Sequence, residues 1–162
     1  MTVKVQIKVA DEVWLATALL HREEPSREDF AVEEIVSRAA RESIIDERRP
    51  GIYQHAQQHC VANRPPNPGR YRMLFETRPG FRRLFRNGDP YHSDREGSKI
   101  VPEVDEIPIR YQDLLGWYEK WNGKSRSRHR SLDALLALRG SGKELWADEH
   151  ADEYVNRLRE GW

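Results

Sequence analysis

Proline and glycine limit the length of every element that this chain can build. Breaks stand at Glu24-Pro25-Ser26, Arg49-Pro50-Gly51, Pro65-Pro66-Asn67-Pro68-Gly69, Arg78-Pro79-Gly80 and Asn87-Gly88-Asp89-Pro90. Proline removes a backbone donor and clashes with the turn before it, so each break ends whatever precedes it. Only short helices and short strands fit between the breaks.

The periodicity of the pieces assigns their types. Thr2 to Val9 alternates polar and apolar residues, with Val3, Val5, Ile7 and Val9 on one face, which predicts a short strand. Ala10 to Arg22 predicts a helix, with Val13, Thr17 and Leu20 on one stripe and Trp14, Ala18 and His21 beside it. A second helix is expected over Phe30 to Ala40. Its apolar face is Phe30, Ile35, Val36, Ala39 and Ala40, with Asp29 as its cap and Glu33 and Glu34 in its first turn.

A third helix is expected over Ile52 to Asn63. Ile52, Ala56, His59 or Cys60, and Val61 form its inner side, and Tyr53, Gln54, Gln57 and Gln58 the other. Arg70 to Thr77 and Phe81 to Arg86 then read as a hairpin whose three-residue loop ends in Gly80. Met73, Phe75, Phe81, Leu84 and Phe85 are its apolar positions. Arg70, Arg72, Arg78, Arg82, Arg83 and Arg86 give it an arginine-rich surface. Asn87 to Pro108 has turn chemistry and little periodicity. In Ile109 to Trp121, Tyr111, Leu114, Leu115, Tyr118 and Trp121 follow helical spacing.

The fold class expected is α+β, mainly α. Three short helices followed by a hairpin make a winged helix-turn-helix-like domain over residues 1–121. A basic linker follows over 122–130 and an extended helical tail over 131–162. In such a domain the third helix enters the major groove. Glutamine can bond bidentately to adenine, and arginine can do the same to guanine. The DNA-binding candidates are therefore Tyr53, Gln54, Gln57, Gln58 and Arg64, with Arg78 at the hairpin tip on phosphates or in the minor groove. Three helices and a hairpin also occur in domains that meet protein rather than DNA. Arginines on a hairpin also serve as plain solvated residues.

Charge bears on this choice. The formal net charge is zero, which excludes a uniformly basic nucleic-acid binder but not a segregated one. The charge is indeed segregated. Asp11 to Arg49 carries 11 acids against 6 bases, and Arg64 to Arg95 carries 8 arginines against 3 acids. Asn122 to Lys143 carries six bases against one acid, and Glu144 to Trp162 six acids against two bases. Alternating blocks of this kind fit a protein that meets more than one partner.

Catalytic and metal motifs are weak. Cys60 is the only cysteine, so neither an internal disulfide nor a cysteine zinc cage can form. His55 and His59 stand four apart, without the glutamate of a His-Glu-x-x-His site. Gly140-Ser-Gly-Lys143 lacks the first glycine and the hydroxyl of a phosphate loop. Asp89, His92 and Asp94 would serve a metal-dependent nuclease, but turn-forming aspartate is far commoner. Glu103, Asp105 and Glu106 read as a solvated acidic loop. No metal, no cofactor and no enzymatic activity are expected. No apolar run approaches the roughly 20 residues that cross a bilayer, and the N-terminus has no apolar stretch of a signal peptide. The expected setting is soluble and cytoplasmic, without a membrane partner.

The tail is the most telling segment. Ser131 to Arg139 is a short amphipathic helix with Ser131 as its cap. After Gly140-Ser-Gly142, Lys143 to Arg159 resumes, with Trp146 alone and Tyr154, Val155, Leu158 and Trp162 at helical spacing. So few apolar groups cannot fold alone, but they can anchor in a groove on another protein. The alternative is that they fold back on the chain's own core. The linker cations Lys124, Arg126, Arg128 and Arg130 either track phosphates or form a solvated joint.

Leu135-Leu-Ala-Leu-Arg-Gly-Ser-Gly-Lys-Glu-Leu-Trp146 and Asp152-Glu-Tyr-Val-Asn-Arg-Leu-Arg-Glu-Gly-Trp162 resemble the tail of VapB-type antitoxins. Those proteins pair with PIN-domain ribonuclease toxins. The resemblance implies an antitoxin of a type II toxin–antitoxin system, with a PIN-domain toxin as partner and operator DNA as its second ligand. A basic tail residue, Arg157 or Arg159 and then Lys143, would reach the metal-holding carboxylates of the nuclease, where charge-assisted bonds are strong. Trp146, Tyr154, Val155 and Leu158 would be the packing anchors. The front of the chain departs from that family, whose members carry a shorter DNA-binding region.

Val9 to Tyr118 resembles instead an uncharacterised bacterial winged-helix-like family. The resemblance lies in Val13-Trp-Leu-Ala-Thr-Ala-Leu-Leu-His21, His59-Cys-Val-Ala-Asn63, Arg83-Leu-Phe-Arg-Asn-Gly-Asp89 and Trp117-Tyr118. A homodimer or a hetero-oligomer with the toxin is the expected assembly. The alternative is a stand-alone winged-helix transcription regulator whose tail mediates dimerisation.

Overall fold

The computed structural model describes residues 6–45 and 49–124. The chain divides into two compact units, Met1–Asn122 and Gly123–Trp162, and the first holds nearly all of the described residues.

Helix α1, Val9–Glu23, is the centre of this unit. Every residue from Ala10 to His21 is buried, whereas its stripes predict a helix with one wet face. Elements pack around it on all sides, and its two N-terminal carboxylates are enclosed with it. Each has a cation. Lys99 Nζ lies 3.1 Å from Asp11 Oδ1, and Arg49 Nη1 lies 3.1 Å from Glu12 Oε2. Acids suit a helix N-terminus, and buried charges persist only when paired. Burial outweighs Lys99 at Asp11 and raises its pKa. The strand expected over Thr2 to Val9 is not found in its described part. Gln6 to Lys8 is irregular, and Val9 already opens α1; Thr2 to Val5 lie outside the described residues.

Strand β1, Phe30–Ala31, and helix α2, Val32–Glu42, stand where one helix from Phe30 is expected. The helix starts late because Glu34 Oε2 accepts the Ala31 N–H at 2.8 Å, satisfying a donor at the helix entrance. Asp29 does not cap α2. Its carboxylate accepts from the Thr77 hydroxyl at 2.6 Å and so ties the helix entrance to the hairpin. Val32, Ile35 and Ala39 form the buried stripe of α2.

Helix α3, Gly51–Gln54, continues as one wide π-helical turn, His55–His59. It ends before the expected Asn63, because the chain joins the sheet there. Val61 makes an isolated parallel bridge to Leu74, and the Ala62 N–H donates to Leu74 O at 2.8 Å. Strands β2, Leu74–Arg78, and β3, Phe81–Leu84, form the hairpin, with Leu74 opposite Leu84 and Glu76 opposite Arg82. A register shift between Glu76 and Arg78 brings Arg78 opposite Phe81. The loop is therefore only Pro79-Gly80, and Gly80 has the positive φ of 80° that favours glycine. The sheet is antiparallel, in the order β1-β3-β2.

The segment after the hairpin contains short 3₁₀ turns at Ser93–Arg95, Val104–Glu106 and Ile109–Tyr111. Helix α4 then covers 113–124 of the described residues. Its expected start at Ile109 is a 3₁₀ turn behind Pro108, and Ile109 is 85% exposed. Leu114 and Tyr118 are buried, and the Tyr118 ring meets Trp14 edge-on at 5.7 Å. Trp14, Leu15, Phe30, Met73, Leu84 and Leu114 are core residues. Full burial of such side chains stabilises by about 1.5–3 kcal/mol each. Among the described residues, no helix is long and apolar enough to cross a membrane.

Candidate nucleic-acid interface

The side of α3 turned away from Ile52, Ala56 and Cys60 is the first place to look for a reading surface. Tyr53 is 44% exposed. Gln54 is exposed and Gln57 half-buried. No described residue hydrogen-bonds to these three side chains.

The other sequence candidates are engaged within the fold. Gln58 Nε2 donates to Pro65 O and holds the proline-rich loop. Arg64 pairs through Nε with Glu76 and approaches Gln57 O at 3.4 Å. Arg78 does lie at the hairpin tip, 59% exposed. Its guanidinium sits 3.6 Å over the Phe81 ring, and its Nε is 3.4 Å from Asp29 Oδ2.

The arginine-rich surface expected of the hairpin is divided: Arg70 and Arg78 are exposed and Arg72 is half-buried. Arg82 and Arg83 are buried, and Arg86 is half-buried. Arg83 forms a two-pronged pair with Asp89, at 2.6 and 2.9 Å. Arg86 reaches Glu28 at 2.9 Å and stacks 4.5 Å over Trp121. Sequence reasoning missed Arg95 altogether. It is fully buried and has no carboxylate partner among the described residues.

The partners of Arg82 and Arg95 explain their burial. A helix end leaves carbonyls without helical donors, and each needs another partner. Arg82 Nε donates to Ala56 O at 3.2 Å and Nη2 to Gln57 O at 3.3 Å. Arg95 Nη2 donates to Gln58 O at 2.9 Å and Nη1 to His59 O at 2.8 Å. Cys60 O accepts from the Met73 and Leu74 N–H groups. Each carbonyl from Ala56 to Cys60 is thereby satisfied. Arg95 also reaches Arg64 O at 2.7 Å and Tyr71 O at 2.6 Å, so one fork binds the helix end to the loop behind it.

The histidines serve the framework. His21 Nε2 accepts the Leu84 N–H at 3.3 Å, so Nδ1 carries the proton of the neutral ring. Its ring lies between Phe30, at 4.9 Å, and Trp121, at 5.0 Å. Burial, then Arg86 and Arg83, push its pKa down to about 3. His55 Nδ1 donates to Gly51 O at 2.8 Å, and burial lowers its pKa. Burial raises the Cys60 thiol far above its usual range.

Among the described residues, no three His, Cys, Asp or Glu side chains converge as they would for a metal ion. The Asp89 carboxylate is taken up by Arg83, and His92 Nδ1 accepts the Asp94 N–H. Glu103 and Asp105 are exposed as expected, but Glu106 is not a plain solvated acid. Lys8 and Lys99 both bind it and hold its pKa at about 2.

A groove of about 760 Å³ runs between α2 and α3. Val36, Ala39, Ile45, Ile52 and Tyr53 line it, with Glu12 and Arg49 also in its wall. The proposed toxin-binding residues Lys143, Trp146, Tyr154, Val155, Arg157, Leu158 and Arg159 lie outside the described residues, as does Gly140 to Gly142.

Electrostatically the described unit is balanced. Its residues carry as many acids as bases, and most of its arginines already have an acid or a carbonyl. Arg41, Arg70, Arg110, Lys120 and Lys124 are exposed without an ion pair to another described residue. No protein-family model, curated protein or solved structure matches the chain.

Proposed function

We propose that this chain is an antitoxin that silences a PIN-domain ribonuclease through its C-terminal tail and binds operator DNA through its N-terminal unit. The observation that carries the first half is the tail string from Leu135 to Trp162, with its basic residues set among aromatic anchors. The second half draws on topology. The element order α1-β1-α2-α3-β2-β3, with β1 against β3 in a three-stranded antiparallel sheet, supports a winged-helix reading. On this reading α3 is the recognition helix and Pro79-Gly80 the tip of the wing. Tyr53, Gln54 and Gln57 then meet base edges.

The balanced charge limits how the unit can bind. Affinity for DNA comes mainly from cations on phosphates, and each neutralised phosphate steepens the salt dependence. A unit with few unpaired cations gives a shallow slope and needs help from the basic linker or from a second copy. The same balance favours a second reading, in which the unit meets protein rather than DNA.

Co-expression with the product of the neighbouring reading frame, expected to be a PIN-domain ribonuclease, tests the tail. The full chain restores growth, and Tyr154→Ala combined with Leu158→Ala abolishes the rescue. A doubly substituted chain that still silences the nuclease contradicts the tail assignment.

A further inference from the structure

The groove between α2 and α3 is apolar over most of its wall, and apolar surface is costly to leave in water. Val36, Ala39, Ile45, Ile52 and Tyr53 line its volume of about 760 Å³. Two stretches outside the described residues adjoin it. Residues 46–48 join Ile45 to Arg49, and both of these stand in the wall. Asp46, Glu47 and Arg48 are all charged, so apolar surroundings disfavour them. The other stretch precedes Gln6, and in it Val3 and Val5 alternate with Thr2 and Lys4.

The place where this second stretch joins the fold is fixed beside the groove. Arg49 Nη1 donates to Ile7 O at 2.9 Å and lies 3.1 Å from Glu12 Oε2. Arg49 and Glu12 both belong to the groove wall, so one guanidinium ties the incoming backbone to it. Val9 backs onto the first turn of α3, where a Cβ placed on Gly51 would stand 3.6 Å from Val9 Cγ1.

The side chains here already alternate. Ile7 is buried, whereas Gln6 and Lys8 are exposed. An extended chain keeps that alternation, which puts Val5 and Val3 on the buried side with Ile7 and leaves Lys4 and Thr2 in water. Four residues of extended chain cover roughly 14 Å. That exceeds the roughly 10 Å between the axes of two packed helices.

We infer that Val3 and Val5 occupy this groove, with residues 2–5 running on from Ile7 as an extended strap across α2 and α3. The strap gives the apolar wall a cover and closes it to other ligands. It acts whether α3 meets DNA or protein, and it stands apart from the proposed function.

Methyl spectroscopy on the full chain, labelled at valine, isoleucine and alanine, tests the strap directly. Val3 and Val5 show nuclear Overhauser contacts to Ala39 and Ile52. Val3→Asp combined with Val5→Asp removes them. Amide exchange at Ile52 and Tyr53 then rises about tenfold, while that of α1 is unchanged. The same variant binds the apolar dye anilinonaphthalene sulfonate more strongly than the wild type. If it is too unstable to measure, Val3→Ser with Val5→Ser carries the same readouts. Val3 and Val5 methyls without any contact to the groove overturn the strap. So do contacts to Ala39 and Ile52 that come from other residues or grow with protein concentration, since they identify another occupant. Unchanged exchange and dye binding in the substituted chain overturn it as well.

Discussion

The hairpin and α3 both carry many hydrogen-bonding side chains, and the fold uses them in opposite directions. In the hairpin, Arg82 and Arg83 turn inward, onto carbonyls and carboxylates. On α3, Tyr53, Gln54 and Gln57 keep their polar groups free of other described residues. Arginine is the usual mark of a nucleic-acid surface, yet here two arginines of β3 belong to the interior. The uncharged amides form the open face. Residue type says which bonds a side chain can make; its register on the element decides whether those bonds go to the protein or to something outside it.

Arg82→Met cuts deepest into this contrast. It leaves Ala56 O, Gln57 O and Glu76 without their buried donor, and the loss expected is about 3–5 kcal/mol in a denaturant titration. An arginine on the solvated face would cost less than about 0.5 kcal/mol, so a small loss erases the contrast.

The pH dependence of stability comes next, through His21 behind the hairpin. Its pKa in the fold, about 3, lies below its ordinary 6.5. The unfolded chain therefore takes up the proton first. Stability is complete above pH 6.5 and falls as the pH drops from 6.5 towards 3, by roughly 3–5 kcal/mol in all. The lowered carboxylates, Glu106 among them, act only below about 4.5. The slope between pH 6.5 and 4.5 thus belongs chiefly to His21, with His55 adding to it and the raised carboxyl of Asp11 opposing it. His21→Gln keeps an acceptor for Leu84 and flattens that slope. A wild-type curve already flat there removes the argument.

The smallest effect on stability belongs to the open face. Gln54→Ala shifts stability by less than about 0.5 kcal/mol and weakens discrimination for the preferred duplex by about 1–3 kcal/mol. Equal binding to matched and mismatched duplexes by wild type and variant alike would blur the contrast from the other side.

Much of this was legible along the chain. Helices α1, α2 and α4 showed as apolar spacing, and Ile52 with Ala56 marked the inner side of α3. That left Tyr53, Gln54 and Gln57 outward. Other features left no periodic trace. Strand β1 spans two residues, too few for an alternation, and the cap expected at Asp29 went to Thr77 across the fold. The wide turn of α3 depends on donors from Arg82 and Arg95, which only tertiary packing brings to it. Gln58 left the reading face because Pro65 O accepts its amide, a partner that helical spacing does not foresee. The full burial of α1 was also hidden, because its acids Asp11 and Glu12 look like surface residues until Lys99 and Arg49 are in place.

The division of labour between unit and tail is tested most directly by sedimenting the full chain with two partners at once. These are the product of the neighbouring reading frame, expected to be a PIN-domain ribonuclease, and a duplex from upstream of the chain's own gene. The proposed function predicts one species that contains all three. A species lacking the nuclease would contradict the antitoxin assignment, and one lacking the duplex would contradict DNA binding by the face of Tyr53, Gln54 and Gln57.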